Sequence, residues 1–203
     1  MGVPRAGSVG RAALAGCLAL LLTGATAGCR RSRPAPSPAG PPATVGLTVG
    51  ASQPAYRVGE QVNLRLKLVN NRDAECQLSR VPDGAVTVLS LTRDDAAVAP
   101  TTGGAAYYRD FTRHLVENLV RVPPRGSVEL TLVSDPESPV GAAFTTSAPD
   151  GRGGATVTWW PVDQPGAYRL VLGYLRAPLR GVPADACAAT TEQGTVSFEV
   201  KGG

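Results

Sequence analysis

The chain has one histidine and one methionine in 203 residues, only two lysines against eighteen arginines, and 5% aromatics. Each scarcity excludes a class of chemistry. One histidine, His114, cannot supply a histidine-rich metal centre, and a two-cysteine site would need further ligands. No Gly-x-Ser-x-Gly elbow and no His-Glu-x-x-His pair occurs, so the usual settings of a serine nucleophile or a zinc-bound water are missing. His114 lies between Arg113 and Leu115 on an amphipathic stretch and reads as a surface or cap residue. The acids Asp83, Asp94, Asp95, Asp135 and Glu137 fall in turns and loops without the ligand order of a calcium loop. The Gly-Arg-Gly-Gly run at residues 151–154 lacks the following helix and lysine of a phosphate loop. The expectation is a non-enzymatic chain with no cofactor and no metal.

Charge excludes a further class. The formal net charge is +4, but five of the 20 basic residues (Arg5, Arg11, Arg30, Arg31 and Arg33) precede residue 44. That leaves 15 basic against all 16 acidic residues beyond it, a net of −1. With no basic patch and no aromatic-interleaved basic run, no nucleic-acid partner is expected. The composition, rich in arginine, alanine, glycine and proline, reads as the mark of a high-GC genome.

The N-terminal 28 residues have the anatomy of a secretory signal: Arg5 and Arg11, then the apolar run AALAGCLALLL over residues 12–22, then small residues. That run is short of the ~20 residues a membrane-spanning helix needs. Two cleavage readings apply. Ala25-Thr26-Ala27 fits an ordinary signal peptidase. Ala27-Gly28-Cys29 resembles the bacterial lipobox, which implies a fatty-acylated Cys29 as the new N-terminus, although Thr26 stands where that motif usually has leucine. Residues 29–43 then read as the lipidated cysteine and a proline-rich tether. Polyproline II at about 3.1 Å per residue gives the fourteen residues 30–43 a reach of roughly 40 Å. Arg30, Arg31 and Arg33 would lie near the headgroups. The expected address is the cell envelope, with the protein lipid-anchored to a bacterial membrane and facing the periplasm or exterior.

Residues 44–203 read as one domain, long enough to bury roughly two-thirds of its unfolded surface. Its organising stretch is YRVGEQVNLRLKLVNN at residues 56–71. Val62, Leu64, Leu66 and Leu68 alternate with Asn63, Arg65 and Lys67, the period of a strand with one dry face and one wet face. A dry face needs a second layer. Residues 127–133, 167–174 and 195–201 alternate likewise, residues 45–49, 76–78 and 156–160 are shorter candidates, and residues 85–92 alternate loosely, as a bulged or doubly buried strand would. Apolar residues at 108, 111, 115, 119 and 122 instead fall at helical spacing, so a short helix is expected over 107–118. Residues 134–154 and 176–193 read as long loops. Cys76 and Cys187 are the domain's only cysteines; in an exported protein they are expected to pair, closing a 111-residue loop.

This pattern indicates an all-β, Ig-like antiparallel β-sandwich of seven to nine strands with one short inserted helix. The segments YRVGEQVNLRLKLVNN, DQPGAYRLVLGY and GTVSFEV resemble the bacterial extracytoplasmic Ig-like domains. Gly166-Ala167-Tyr168 is similar to their turn into strand F, which implies a tyrosine-corner role for Tyr168. Leu64 and Leu170 stand where antibody-type domains carry their bridging cysteines, and Asp163 is one residue further from the tyrosine than in that family. The Gly-Glu-x-Val start and asparagine end of the first of these segments also resemble inhibitor domains of the BsuPI type. Two functions follow as expectations. One is a membrane-anchored, non-catalytic binding or assembly module whose partners are the membrane, through its lipid, and another envelope protein. The alternative is a proteinase inhibitor presenting residues 134–154. Candidate binding residues are Phe144, Trp159 and Trp160, because rigid aromatics give up little entropy when a partner desolvates them. Alternation puts one of the two tryptophans inward and the other outward.

Overall fold

The computed structural model describes residues 44–105, 110–174, 186–187 and 192–203; Cys29 and the whole segment 1–43 lie outside the described residues. The strict alternation of the organising stretch forms β3 (Asn63–Asn70), in which Leu64, Leu66 and Leu68 are buried while Arg65 and Lys67 are exposed. Around it lie β1 (Val45–Ala51), β2 (Ala55–Arg57), β4 (Cys76–Ser79), β5 (Val86–Arg93), β6 (Ala96–Ala97) and β7 (Thr101–Ala105). Helix α1 (Phe111–Glu117) is followed by β8 (Leu119–Val122), β9 (Ser127–Asp135), β10 (Ala143–Pro149), β11 (Ala155–Pro161), β12 (Gly166–Tyr174) and β13 (Gly194–Lys201).

These strands make an all-β sandwich. One sheet has the order β1-β3-β9-β10-β11-β7, the other β2-β13-β12-β5-β6, and β4 and β8 form a small separate ribbon. Every named strand pair is antiparallel except β13 with β2. β1, β3 and β9 take the A, B and E places of an Ig sandwich, and β5, β12 and β13 the C, F and G places. The fourth place beside β9 is filled from the other direction. The hairpin β10–β11, which follows β9 in the chain, stands there.

Among the described residues there are thirteen strands where seven to nine were expected. Part of the excess is β10, within the expected loop 134–154; the rest is short edge pieces such as β2 and β6. Helix α1 falls within the expected 107–118, of which residues 107–109 lie outside the described residues, and Leu119 and Val122, at the end of the same apolar spacing, belong to β8. Asp110 starts it, its carboxylate accepting the Arg113 amide at 2.9 Å. The bulge in β5 is present: the register with β12 shifts between Val171 and Leu172, passing over Leu89.

The main core draws Leu64, Leu66, Leu68 and Leu130 from one sheet and Leu91, Leu170, Leu172, Phe198 and Val200 from the other. Phe144 of β10 meets Phe198 of β13 edge-on across the layers at 6.2 Å. Leu64 and Leu170, standing where related sandwiches carry cysteines, are both fully buried. The disulfide instead joins Cys76 of β4 to Cys187, with 5.2 Å between their Cα atoms, and both cysteines are fully buried. The Cys187 amide also donates to Gln77 O at 3.1 Å, holding this part of the long 176–193 segment to β4; residues 175–185 and 188–191 lie outside the described residues.

Candidate functional site

The sandwich has two poles, and strand direction defines them. The chain enters at Val45, opposite Asn70 of β3. Asn70 is fully buried there, and its side-chain amide donates to Ala74 O, Val122 O and Pro123 O at 2.9–3.1 Å while its carbonyl accepts from the Arg72 amide. A buried amide with all these partners welds the loop 71–75 to the turn 123–126. The asparagine ending of the alternating stretch was visible in the sequence; its role as a clamp was not, since no local pattern announces partners some fifty residues away.

The opposite pole is built from the ends of β1, β2, β5, β9 and β13 and the starts of β3 and β12. Two devices hold it. Tyr168 at the start of β12 is buried, stacks on Phe198 at 5.4 Å and donates its hydroxyl to Gln164 O at 2.9 Å. That is the tyrosine-corner contact implied by the resemblance. Burial, the largest influence, pushes the Tyr168 phenol up from its ordinary range. The second device is the turn Asp94-Asp95, whose residues both have positive φ, 49° and 65°, as a two-residue hairpin loop of type I′ requires. The Asp94 amide donates to Ala167 O at 2.8 Å, and its carboxylate accepts the Ala167 amide at 2.9 Å. Gly166, at φ 150°, is required beside it, because a Cβ there would lie 2.6 Å from the Asp94 carboxylate. A depression of about 470 Å³ lies against this corner, bordered by Pro54, Asp94, Asp95, Arg169 and Glu199 over Tyr168.

The three aromatic candidates come together on the hairpin but in different roles. Phe144 pairs in register with Trp160, and Thr145 with Trp159. Phe144 is fully buried, so it is a core residue and no partner can reach it; this corrects its assignment as an exposed anchor. The error came from reading residues 134–154 as a loop. Trp160 is half-buried, packs on the main core and donates its indole N–H to Thr146 Oγ1 at 3.3 Å. Trp159 faces the other side of β11, half-exposed, with its ring over Gly103 of β7, where an added Cβ would come within 2.8 Å. The two tryptophans therefore face opposite sides of β11, both half-buried, and Trp160 is the one packed on the main core.

Among the described residues no cluster of three histidine, cysteine or acidic side chains could hold a metal ion, and no helix is long and apolar enough to cross a membrane. His114 stands on α1 with its Nε2 3.8 Å from an Asp83 carboxylate oxygen and its ring stacked near Phe111. This is the surface-helix setting the sequence suggested. No family model matches this chain, and no curated protein does.

Proposed function

We propose that this protein is a lipid-anchored envelope lipoprotein whose sandwich is a non-catalytic binding or assembly module for another extracytoplasmic protein. One observation carries the reading: the fold starts where the tether ends. Val45, two residues beyond the proline-rich stretch, is fully buried and already paired with β3. A cysteine after a small-residue signal, a proline-rich run and then a sandwich is the order an anchored module needs. The polar loops of the pole opposite Val45, with half-exposed Trp159 nearby, supply the kind of scaffold-held surface on which recognition sits.

The bait-loop alternative gains no support from the same coordinates. Residues 143–149 are strand β10, paired along their whole length with β11, which leaves little of the 134–154 stretch free to extend into a protease.

The test is substitution of the proposed acylation site. Cys29→Ser is expected to abolish metabolic labelling by fatty acid and to move the protein from the membrane to the soluble fraction. A wild-type mature chain beginning at an unmodified Gly28 would overturn the anchored reading.

A further inference from the structure

The pole at which the chain enters and the pole opposite it differ in charge as well as in construction. At the entry pole, Asp73 is held by Arg125 at 2.9 Å and Glu75 by Arg121 at 3.2 Å, so these two carboxylates are neutralised in place. Among the described residues Asp110, Asp150 and Glu192, whose amide donates to Val45 O, form no ion pair there. The far pole carries Glu60, Asp94, Asp95, Glu137 and Asp163 on its loops and Asp135 at the end of β9, against Arg57 and Arg93 at the ends of β2 and β5 and Lys201, which pairs with Glu199. Among the described residues no ion pair involves any of these six carboxylates. Strands of seven to nine residues, at about 3.3 Å each, set the poles apart by on the order of 25 Å.

We infer that the domain stands on an anionic bilayer by its entry pole, with the acidic loop pole turned outward. This rests on the lipid-anchored reading proposed above. The physical argument has two parts. The tether joins the fold at Thr44–Val45, beside the Asn70 clamp and the 123–126 turn, so the entry pole is the one the anchor restrains. A reach of roughly 40 Å would let the domain turn over, but the turned orientation brings unneutralised carboxylates against anionic headgroups. Repulsion sets in within a Debye length, about 8 Å at physiological ionic strength, whereas in the upright orientation the far pole lies well beyond that range. The charge asymmetry selects the orientation that the tether alone leaves open. Neutralising the far pole should therefore loosen the orientation without releasing the protein.

The experiment uses the full acylated chain on vesicles containing anionic lipid. A donor dye is attached at Asp73→Cys (entry pole) or Glu137→Cys (far pole), both exposed positions, and an acceptor dye is placed in the headgroup region. Flotation is scored first, then energy transfer. The expected result is that both proteins float and that transfer from the entry-pole label is about twofold or more stronger, as the pole separation requires. Raising salt to about 1 M, where the Debye length falls to about 3 Å, should narrow that difference. Equal transfer from both labels on floated protein, or stronger transfer from Glu137→Cys, would overturn the orientation while leaving the anchor intact. A chain that fails to float would overturn the anchor and the orientation with it. A difference that survives high salt unchanged would overturn the electrostatic selection.

Discussion

The two hydrophobic clusters of this domain are built on different terms. The main core takes residues from both sheets and closes over itself, so its leucines touch partners supplied from every part of the chain. The smaller cluster, among the described residues, is Phe111, Leu115 and Ala155. It lies where α1 covers the open end of the β10–β11 hairpin, with the Phe111 amide donating to Gly153 O at 2.9 Å and Gly84 making room beneath the helix. A Cβ at Gly84 would stand 2.5 Å from Leu115. The hairpin is thus rooted in the main core at Phe144 and Trp160 and leaves it toward residues 149–155. Regions with few buried apolar contacts open at lower free energy than the core that supports them. The lesson is that one domain here holds two levels of stability, and the hairpin end over residues 149–155 belongs to the looser one.

The comparison is broken most severely in the framework. Leu170→Ala removes a fully buried side chain where both sheets meet. Leucine truncations in cores cost about 2–5 kcal/mol, and the absence of any exposed side to absorb the cavity points to the upper half of that range. Denaturant unfolding should show the midpoint falling with its slope unchanged, and the melting temperature should drop by on the order of 10 °C for a domain of this length.

In the annex the same kind of lesion should stay local. Phe111→Ala empties the smaller cluster, and truncation of a buried phenylalanine costs about 3–5 kcal/mol where the site cannot collapse. If α1 and the hairpin end open as their own unit, amide exchange over residues 111–122 and 145–158 should accelerate by about a hundredfold or more. The loss of global stability should stop at the free energy at which the wild-type annex opens, short of the full ~3–5 kcal/mol of the truncation, because an annex already resting open cannot be destabilised further. A full loss of stability in the denaturant curve, with uniform exchange, would show that the two clusters form one cooperative unit.

The same division explains what could be read without coordinates. β3, β9 and β13 declare themselves because each carries leucine, valine or an aromatic at every second position and buries only one face; β12 alternates at its start and is buried on both faces from Leu170 onward. The disulfide was legible from compartment logic and the pair count. β7 and β10 were not: their sequences, TTGGA and AFTTSAP, hold threonine, glycine and alanine where the period-two signal needs large apolar residues. They are strands because β11 pairs with both of them, a tertiary reason that overrides weak local preference. Phe144 looked like an exposed anchor because its hydrophobic partner, Phe198, is contributed by the last strand of the chain. At the candidate site, the tyrosine corner and the opposed faces of Trp159 and Trp160 were visible in the residues. The Asn70 clamp and the Asp94–Ala167 lock were not, since each joins segments far apart in sequence.

The smallest effect, and the sharpest for the framework pole, belongs to Tyr168. Its ring is buried against Phe198 and its hydroxyl donates to Gln164 O, so Tyr168→Phe keeps the packing and deletes one hydrogen bond, leaving a carbonyl that solvent can reach only in part. A net loss of about 1 kcal/mol is expected at neutral pH. The pH dependence adds a second, independent signature. Burial raises the phenol's pKa in the folded state, so the neutral form is the one that folding favours. That contribution is fully present below the unfolded tyrosine's pKa of about 10 and is lost as pH rises from there through the folded value. Stability of the wild-type protein should therefore fall between neutral pH and pH about 11 more steeply than that of Tyr168→Phe, and the two curves should converge as the phenolate forms. Urea titrations at a series of pH values measure this directly. Parallel curves across the whole range would mean that the hydroxyl sits in water at this corner, and that the turn into β12 is held by the Asp94 lock alone.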